Sequence, residues 1–480
     1  MVATTEGSLP SPSSSPSRSS SFFTTTSSHD DSTVLTGGGG GAITSPNHKD
    51  YGTLANNDEL ESANPSSPQA NMGALQADRP GYGTCSILSS SMNLVNAMMG
   101  SGIIGLPLAL YLCGFWAGIA MSITIAGLTC MAMHLLVLSG VRSGQYTLAD
   151  LCRVSLLGRH GGQAINLMLV FHTAVLGDML PQLLGGWLPW FADRHIAVVC
   201  FGLLFSLPLC LPRSVAPLAK WSTIGVLLLP LVIIGVAIRL PAYYTPFDIV
   251  WLNPSLDQVF KGLAIMGLSY GCSQNVFGVF LSQRDQRPSQ FLKADVLSIS
   301  IGFMLNMTFA IFGYFCFAGG DTAINANVLL NFPANDSIIN LVRLTLAVFI
   351  ALTIPLALHP CRESLQKMLG HNTEGRLPTT RQHCIVTLSM FCVVLCLGAT
   401  LTELGTVFAI IGGVSTTAIG FLLPGAAYVR IFLPELLCGE LFKSPADQKV
   451  VGSWPLMFGA FTLVLISMPI MYFAILDAVL

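Results

Sequence analysis

The chain is 480 residues long, 52% hydrophobic and only 10% charged, with a mean hydropathy of +0.66 and a formal net charge of -2. So little charge excludes a soluble domain of this length and points to a multi-pass membrane protein. No basic stripe or patch accompanies the charge balance, which excludes nucleic acid as a partner.

Residues 1–79 are rich in Ser, Thr, Pro, Gly and Asn, with runs such as SSSPSRSSS and GGGGG. They cannot bury enough apolar surface to offset the entropy of ordering, so they are expected to form a disordered cytoplasmic tail. Within it, Tyr51-Gly52-Thr53-Leu54 fits the tyrosine-plus-bulky-apolar pattern by which adaptors sort membrane proteins, a short match that chance also produces. The first apolar run starts only near Ile87, so no cleavable signal peptide is expected and the first span acts as its own insertion signal.

From there on, apolar runs recur with short polar breaks, each long enough to cross about 30 Å of hydrocarbon as a helix. Eleven transmembrane helices are predicted, near 87–112, 115–139, 162–190, 195–211, 214–239, 257–281, 296–318, 338–359, 382–401, 404–428 and 454–476. Residues 80–480 thus form an all-α integral membrane domain. Placing the N-terminus in the cytoplasm leaves only Arg194, Arg239, Lys261 and Arg343 of the 22 lysines and arginines on the far side, as the preference of positive residues for the cytoplasm requires. The loop between spans seven and eight then faces outward and carries the glycosylation sequon Asn335-Asp336-Ser337. A second match, Asn306-Met307-Thr308, lies inside span seven and is unusable.

The first span contains NAMMGSGIIGLP, Asn96 to Pro107. A lone small-residue cluster in a membrane helix commonly serves close packing. Five spans later a second apolar run is interrupted by GLSYGCSQN, Gly267 to Asn275. Paired interruptions at spans one and six are what an inverted five-plus-five repeat with broken helices gives, with one extra C-terminal helix outside it. Freed N–H groups at half-helix N-termini suit a carboxylate and freed carbonyls suit a cation.

NLVNAMMGSGIIGLPLAL closely resembles the first span of the amino acid/auxin permease family, above all its sodium-coupled neutral amino acid transporter branch and the fungal vacuolar amino acid transporters. The resemblance continues in the loop segment YTLADLCRVSLLGRHG, in VLGDMLPQLL of span three, in ALTIPLALHPCRESL of span eight and in IGGVSTTAIGFLLPGAAYV of span ten. It implies a bundle-and-scaffold transporter. The backbone around Met99, Gly100, Ser101 and Gly102 would hold the carboxylate and amino groups of an L-amino acid, and Tyr270, Ser273 and Gln274 would face its side chain. Asn96 and Thr353 match the family's sodium site. Many family members carry a histidine or proline in the stretch written here CSQNVF, so the resemblance names no single preferred amino acid.

Other polar residues have two uses each. Asp178 in span three is a proton acceptor or gating group, or a cap at the external interface; His172, six residues before it, lies on a different helix face and is a proton carrier or a partner for a neighbouring helix. Arg343 is expected to snorkel to the interface, and Arg362-Glu363 to gate or to fix a helix end. Ser89 to Ser91, Asn93, Ser415, Thr416 and Thr417 are candidate interhelical glue. Most of the 13 cysteines fall in apolar runs and read as inert small residues. No catalytic elbow, zinc motif or phosphate loop is present, so the chain reads as a non-enzyme without cofactor, using a sodium or proton gradient. The competing reading is a membrane amino acid sensor that signals through its N-terminal tail. The YGTL motif points to a vacuolar or lysosomal membrane, with the plasma membrane as the alternative.

Overall fold

A computed structural model describes residue 75 and residues 82–176, 202–213, 218–320, 323–371, 378–400, 411–439 and 450–479. The chain divides into two units, Met1–Pro65 and Ser66–Leu480, and every described residue belongs to the second. Among the described residues there is no strand, only an isolated bridge between Cys85 and Gln283.

Helix α1 (Ile87–Met98) opens on Ser86, whose side chain accepts from the Ser89 amide. After Met98 the chain leaves the helix and tightens into a 3-10 turn, Ser101–Gly105. It resumes as α2 (Leu106–Cys113), with Pro107 in the first turn, where no amide is needed. The two pieces are bent by 53°. Gly114, at φ 88°, then turns the chain; a side chain there would strike the Trp251 carbonyl oxygen at 2.8 Å.

Helix α3 (Phe115–Ser143) is followed by α4 (Leu148–Ser155), which Thr147 caps by accepting from the Asp150 amide. The sequence places this stretch in a loop; the cap and the amphipathic order LADLCRVS make it a helix lying outside the spans. Next come α5 (Gly158–Leu176), α6 (Leu207–Cys210) after a π turn, and α7 (Leu218–Tyr243). Span six is α8 (Leu256–Tyr270), a break at Gly271 and Cys272, a 3-10 turn at Ser273–Asn275, and α9 (Val276–Ser282). Helices α10 (Pro288–Phe317), α11 (Ser337–Met368) and α12 (Thr380–Thr400) follow. Two π segments, Ile411–Thr416 and Ala418–Leu422, lead into α13 (Leu423–Cys438), and α14 (Trp454–Val479) ends the described chain.

Six described helices are long and apolar enough to cross a membrane, or seven when α1 and α2 count as one broken span. Their apolar windows differ in enclosure: 72% of that of α11 is buried and only 28% of that of α14. So α11 runs through the middle of the bundle and α14 along its edge. Leu227, Leu231, Leu465 and Tyr472 point outward, as lipid-facing residues do, while Tyr270, Phe280, Phe349 and Tyr428 fill the interior.

Three boundaries move. α10 begins eight residues before the predicted span seven, α11 runs nine beyond the predicted span eight and α13 ten beyond the predicted span ten, because helices continue past the hydrocarbon while an apolar run stops at the first charge. Arg343 does not snorkel. It is 7% exposed and donates to the carbonyl oxygens of Leu329, Phe332 and Pro333 and to Asn340 Oδ1, because the short 3-10 turn Val328–Asn331 and the residues after it leave carbonyls without helical partners. Arg362 similarly donates to the carbonyls of Cys210 and Pro212 at the end of α6, a fixing role. No disulfide joins the cysteines whose side chains are described.

Candidate substrate and ion site

The two breaks meet. The Ser101–Gly105 turn lies against α8, and a side chain at Gly102 would come 2.5 Å from the Cα of Ser269. Only glycine permits that approach. Near the end of α8, where carbonyls lose their helical partners, the Ser269 carbonyl accepts from Asn306 Nδ2 of α10 at 3.1 Å. Gly271 then turns extended, with ψ 104°, and Cys272 follows at φ -133°. The sixth span therefore breaks directly beside the point where the first one does.

The predicted substrate residues divide between these breaks. Met99, Gly100 and Gly102 are buried at the first; of Ser101 the backbone is described but the side chain is not. Tyr270 is fully buried and shares a 2.7 Å hydrogen bond with Ser122 of α3, so its hydroxyl is turned toward that helix. Ser273 Oγ is buried without a partner, close to Gly420 of the second π segment. Gln274 lines a cavity of about 30 Å³ together with Tyr82, His359 and Glu363. That holds a water or two and excludes an amino acid. The π segments themselves escape the sequence reading, although a side chain at Gly271 would meet Thr416 at 2.5 Å. Such bulges recur at functional sites.

Asn96 and Thr353, 257 residues apart, are in contact. Thr353 Oγ1 donates to Asn96 Oδ1 at 2.9 Å, and Asn96 Nδ2 donates to Ser222 Oγ at 3.1 Å. All three are buried, on α1, α11 and α7. Sequence reasoning misses Ser222, since one serine in an apolar run carries no periodic signal. Together with the Phe349 carbonyl, which also receives the Thr353 hydroxyl at 3.0 Å, these are hard neutral oxygens of the kind an alkali cation prefers.

Of the remaining candidates, Asp178 lies outside the described residues, and so does the side chain of His172. Ser91 Oγ donates to the Ala294 carbonyl across to α10, and Ser415 Oγ to the Met168 carbonyl on α5, both interhelical ties. Ser90 Oγ and both side-chain polar atoms of Asn93 are buried with no partner.

Charge collects at the two ends of the bundle. Near α4, Lys367 Nζ meets Asp150 Oδ2 at 2.7 Å and Arg142 meets Glu435 at 3.2 Å. At the start of α11, Asp336 caps the helix, accepting from the Ile338 and Ile339 amides, and pairs with Arg239 at 2.7 Å. Burial alone would raise both aspartates; Lys367 beside Asp150, and Arg239 with the cap amides beside Asp336, outweigh it and hold the two carboxyls below the usual carboxylate range.

A helical membrane protein whose first and sixth apolar segments break side by side, next to a buried cluster of oxygen donors, has the form of a solute transporter. The fold agrees. A Na+-coupled sialic acid symporter solved in its substrate-bound, outward-open state matches with a TM-score of 0.51 at 12% identity, over 82% of this chain and 91% of its own. The chain belongs to the family of transmembrane amino acid transporter proteins, whose model matches residues 83–449. Vacuolar amino acid transporter 2 of Saccharomyces cerevisiae is 24% identical over 69% of this chain and 74% of its own length. Sodium-coupled neutral amino acid transporter 7 of Bos taurus is 25% identical over 74% and 81%. The family and these relatives are transporters, not enzymes.

Proposed function

We propose that the chain is a secondary active transporter of L-amino acids, neutral or broad in range, working by alternating access around the meeting point of the two broken helices and coupled to a sodium or proton gradient. The observation that carries this is the abutment of Gly102 on Ser269, which sets two lengths of unwound backbone side by side. On this reading the backbone of Met99 to Gly102 binds the zwitterion, Ser273 lines its side chain, Gln274 joins it only when the small cavity beside it opens, and Tyr270 stiffens the site through Ser122. Asn96, Thr353 and Ser222 supply the oxygens for sodium. Eleven spans in a five-plus-five repeat plus one, with the N-terminus cytoplasmic, are the topology that the charge distribution favours. The membrane is vacuolar or lysosomal, with Tyr51–Leu54 as the sorting signal, or the plasma membrane. Purified protein in proteoliposomes, given radiolabelled amino acids under one ion gradient at a time, tests the proposal. Gly102→Leu is expected to abolish uptake, and wild-type uptake by that variant refutes the site.

One observation favours the sensor as a second reading. Amides of Gly83, Thr84 and Cys85, at the root of the tail, donate to the carbonyls of Leu281 and Ser282 at the end of span six, and Arg284 Nε donates back to the Thr84 carbonyl. Movement of span six is therefore transmitted to the residues that join the first span to the tail. Deleting residues 1–79 separates the readings: a transporter keeps its flux, whereas a sensor keeps binding and loses its output.

A further inference from the structure

Asp295 lies two turns into α10, inside a membrane-crossing helix, and has no exposed surface. Neither of its carboxyl oxygens receives an N–H or O–H hydrogen bond. Among the described residues the group that reaches it is the Cys130 thiol of α3, with the Cys272 thiol, at the break of span six, in its electrostatic neighbourhood. Cys272 in turn contacts Met133 Sδ at 3.2 Å, so one face of α3, at Cys130 and Met133, lies against the break and the carboxyl together.

The elements packed on α10 bring no cation to Asp295. α1 and the Ser101–Gly105 turn have no titratable side chain, and α2 has only Tyr111 and Cys113. α3 brings Cys130 and His134, the latter one turn further along the same face with Nδ1 unpartnered, while its Arg142 is committed to Glu435. On α7, Lys220 is exposed and Arg239 is paired with Asp336. α8 carries Asp257 and Lys261 in its first two turns and Tyr270, bonded to Ser122, in its last. Lys293 of α10 itself points outward.

We infer that Asp295 is the proton-binding carboxyl of the transport cycle, binding a proton when span six is closed against α3 and releasing it when that contact opens. A buried carboxylate whose single neighbouring donor is a weak thiol, and which has no cation, is not tolerated ionised in such surroundings, so the packed state seen here requires it neutral. Ionisation requires water, which reaches it only if α3, α10 and the Gly271–Cys272 break separate. The proton thus favours one arrangement of the break that also lines the substrate site, which is the thermodynamic content of coupling. The donors decide against a metal ion: one carboxyl and two thiols make a poor cage for sodium, and among the described residues no group of three His, Cys, Asp or Glu is placed to hold a metal. The Asn96–Ser222–Thr353 contact is separate and contains nothing that titrates near neutral pH.

This inference rests on the transporter reading, and the experiment separates the two. Wild-type full-length protein is reconstituted with a pH dye inside the vesicles, and radiolabelled amino acid uptake and proton entry are recorded together. In the wild type, protons accompany substrate. In Asp295→Asn the protons moved per substrate are expected to fall roughly tenfold or more, with Asp295→Glu recovering a substantial part and Lys293→Ala matching wild type. An Asp295→Asn protein that carries protons at the wild-type ratio overturns the assignment. So does wild-type transport without proton entry, which leaves the transporter reading standing; wild type that moves no amino acid under any gradient overturns that reading instead. Should Asp295→Asn be inert, modification of the wild type by a hydrophobic carbodiimide, read by mass spectrometry at Asp295, decides. Labelling that declines as pH rises supports the proposal, and a carboxyl unreactive at every pH refutes it.

Discussion

Replacing Thr353 by valine removes one hydroxyl at almost constant volume. Thr353 Oγ1 shares its single hydrogen between Asn96 Oδ1 at 2.9 Å and the Phe349 carbonyl at 3.0 Å. Phe349 lies in the same helix and has its own amide ladder, but the fully buried Asn96 Oδ1 depends on that donor. Leaving the buried amide oxygen unsatisfied lowers stability by about 1–3 kcal/mol, read in the melting temperature, and a sodium ion using these oxygens separately loses one ligand, a contact to a charge of about the same size. At about 1.4 kcal/mol per tenfold, the half-saturating sodium concentration for amino acid uptake should rise roughly 5- to 150-fold. The assay is uptake into proteoliposomes against sodium concentration, with the melting temperature of the same preparation followed alongside. Asn96→Ala should act in the same direction, and the double variant should lose less than the sum, since each change removes the other's partner. The reasoning is refuted if Thr353→Val melts earlier yet keeps its sodium half-saturation within about twofold of wild type, the scatter of such comparisons. The contact would then only tie α1 to α11.

Arg343→Met strands the carbonyls of Leu329 and Phe332 and should cost roughly 3 kcal/mol, seen as an earlier thermal transition in detergent. Asn335 is exposed and Asn306 is buried in α10, so in a glycosylating host Asn335→Gln should remove the mobility shift caused by glycosidase and Asn306→Gln should not; a wild type without any shift counts against an outward-facing α10–α11 loop. Asp336 and Asp150 are held below the usual carboxylate range, so the stability they add is complete above their unfolded pKa of about 4 and is lost as pH falls through their lower folded values. Thermal melting should therefore be insensitive to these two groups from neutral pH down to about 4 and fall only below it. Asp336→Asn, which preserves the sequon, should remove that acid transition in part.

The broken helices are legible because glycine and small polar residues stand out against leucine: GSGIIG marks the first break to within a residue, and GLSYGCSQN contains the second, which opens four residues after its start. Asn96 and Thr353 were reachable only through family resemblance, as no periodicity links residues 257 positions apart. Asp295 was lost for a definite reason. The predicted span seven starts at 296, one residue after a carboxyl that the structure buries inside the helix. Arg343 failed similarly: from sequence it is a charge near a span end, and only the folded 3-10 turn at Val328–Asn331 shows the carbonyls that draw it inward. The π segments left no mark, since widening the turn changes which residues share a face without changing which residues are used.

Helix α11 gathers these features on one rod. Thr353 sits near its midpoint, Asp336 caps its start and is paired with Arg239, and Lys367 near its end is paired with Asp150. In each pair at least one partner is about 30% exposed, so each is worth only about 0–1 kcal/mol. That is weak for a structural fastening and, on the proposed mechanism, suits a closure that must open: releasing either end costs less than the differential binding by which a ligand shifts a two-state equilibrium. The middle of the rod is built differently, from uncharged oxygens on three helices that satisfy one another without water. On the proposed mechanism, occupancy at the midpoint tightens α1, α7 and α11 together and leaves the choice of open end to whichever weak ion pair yields first.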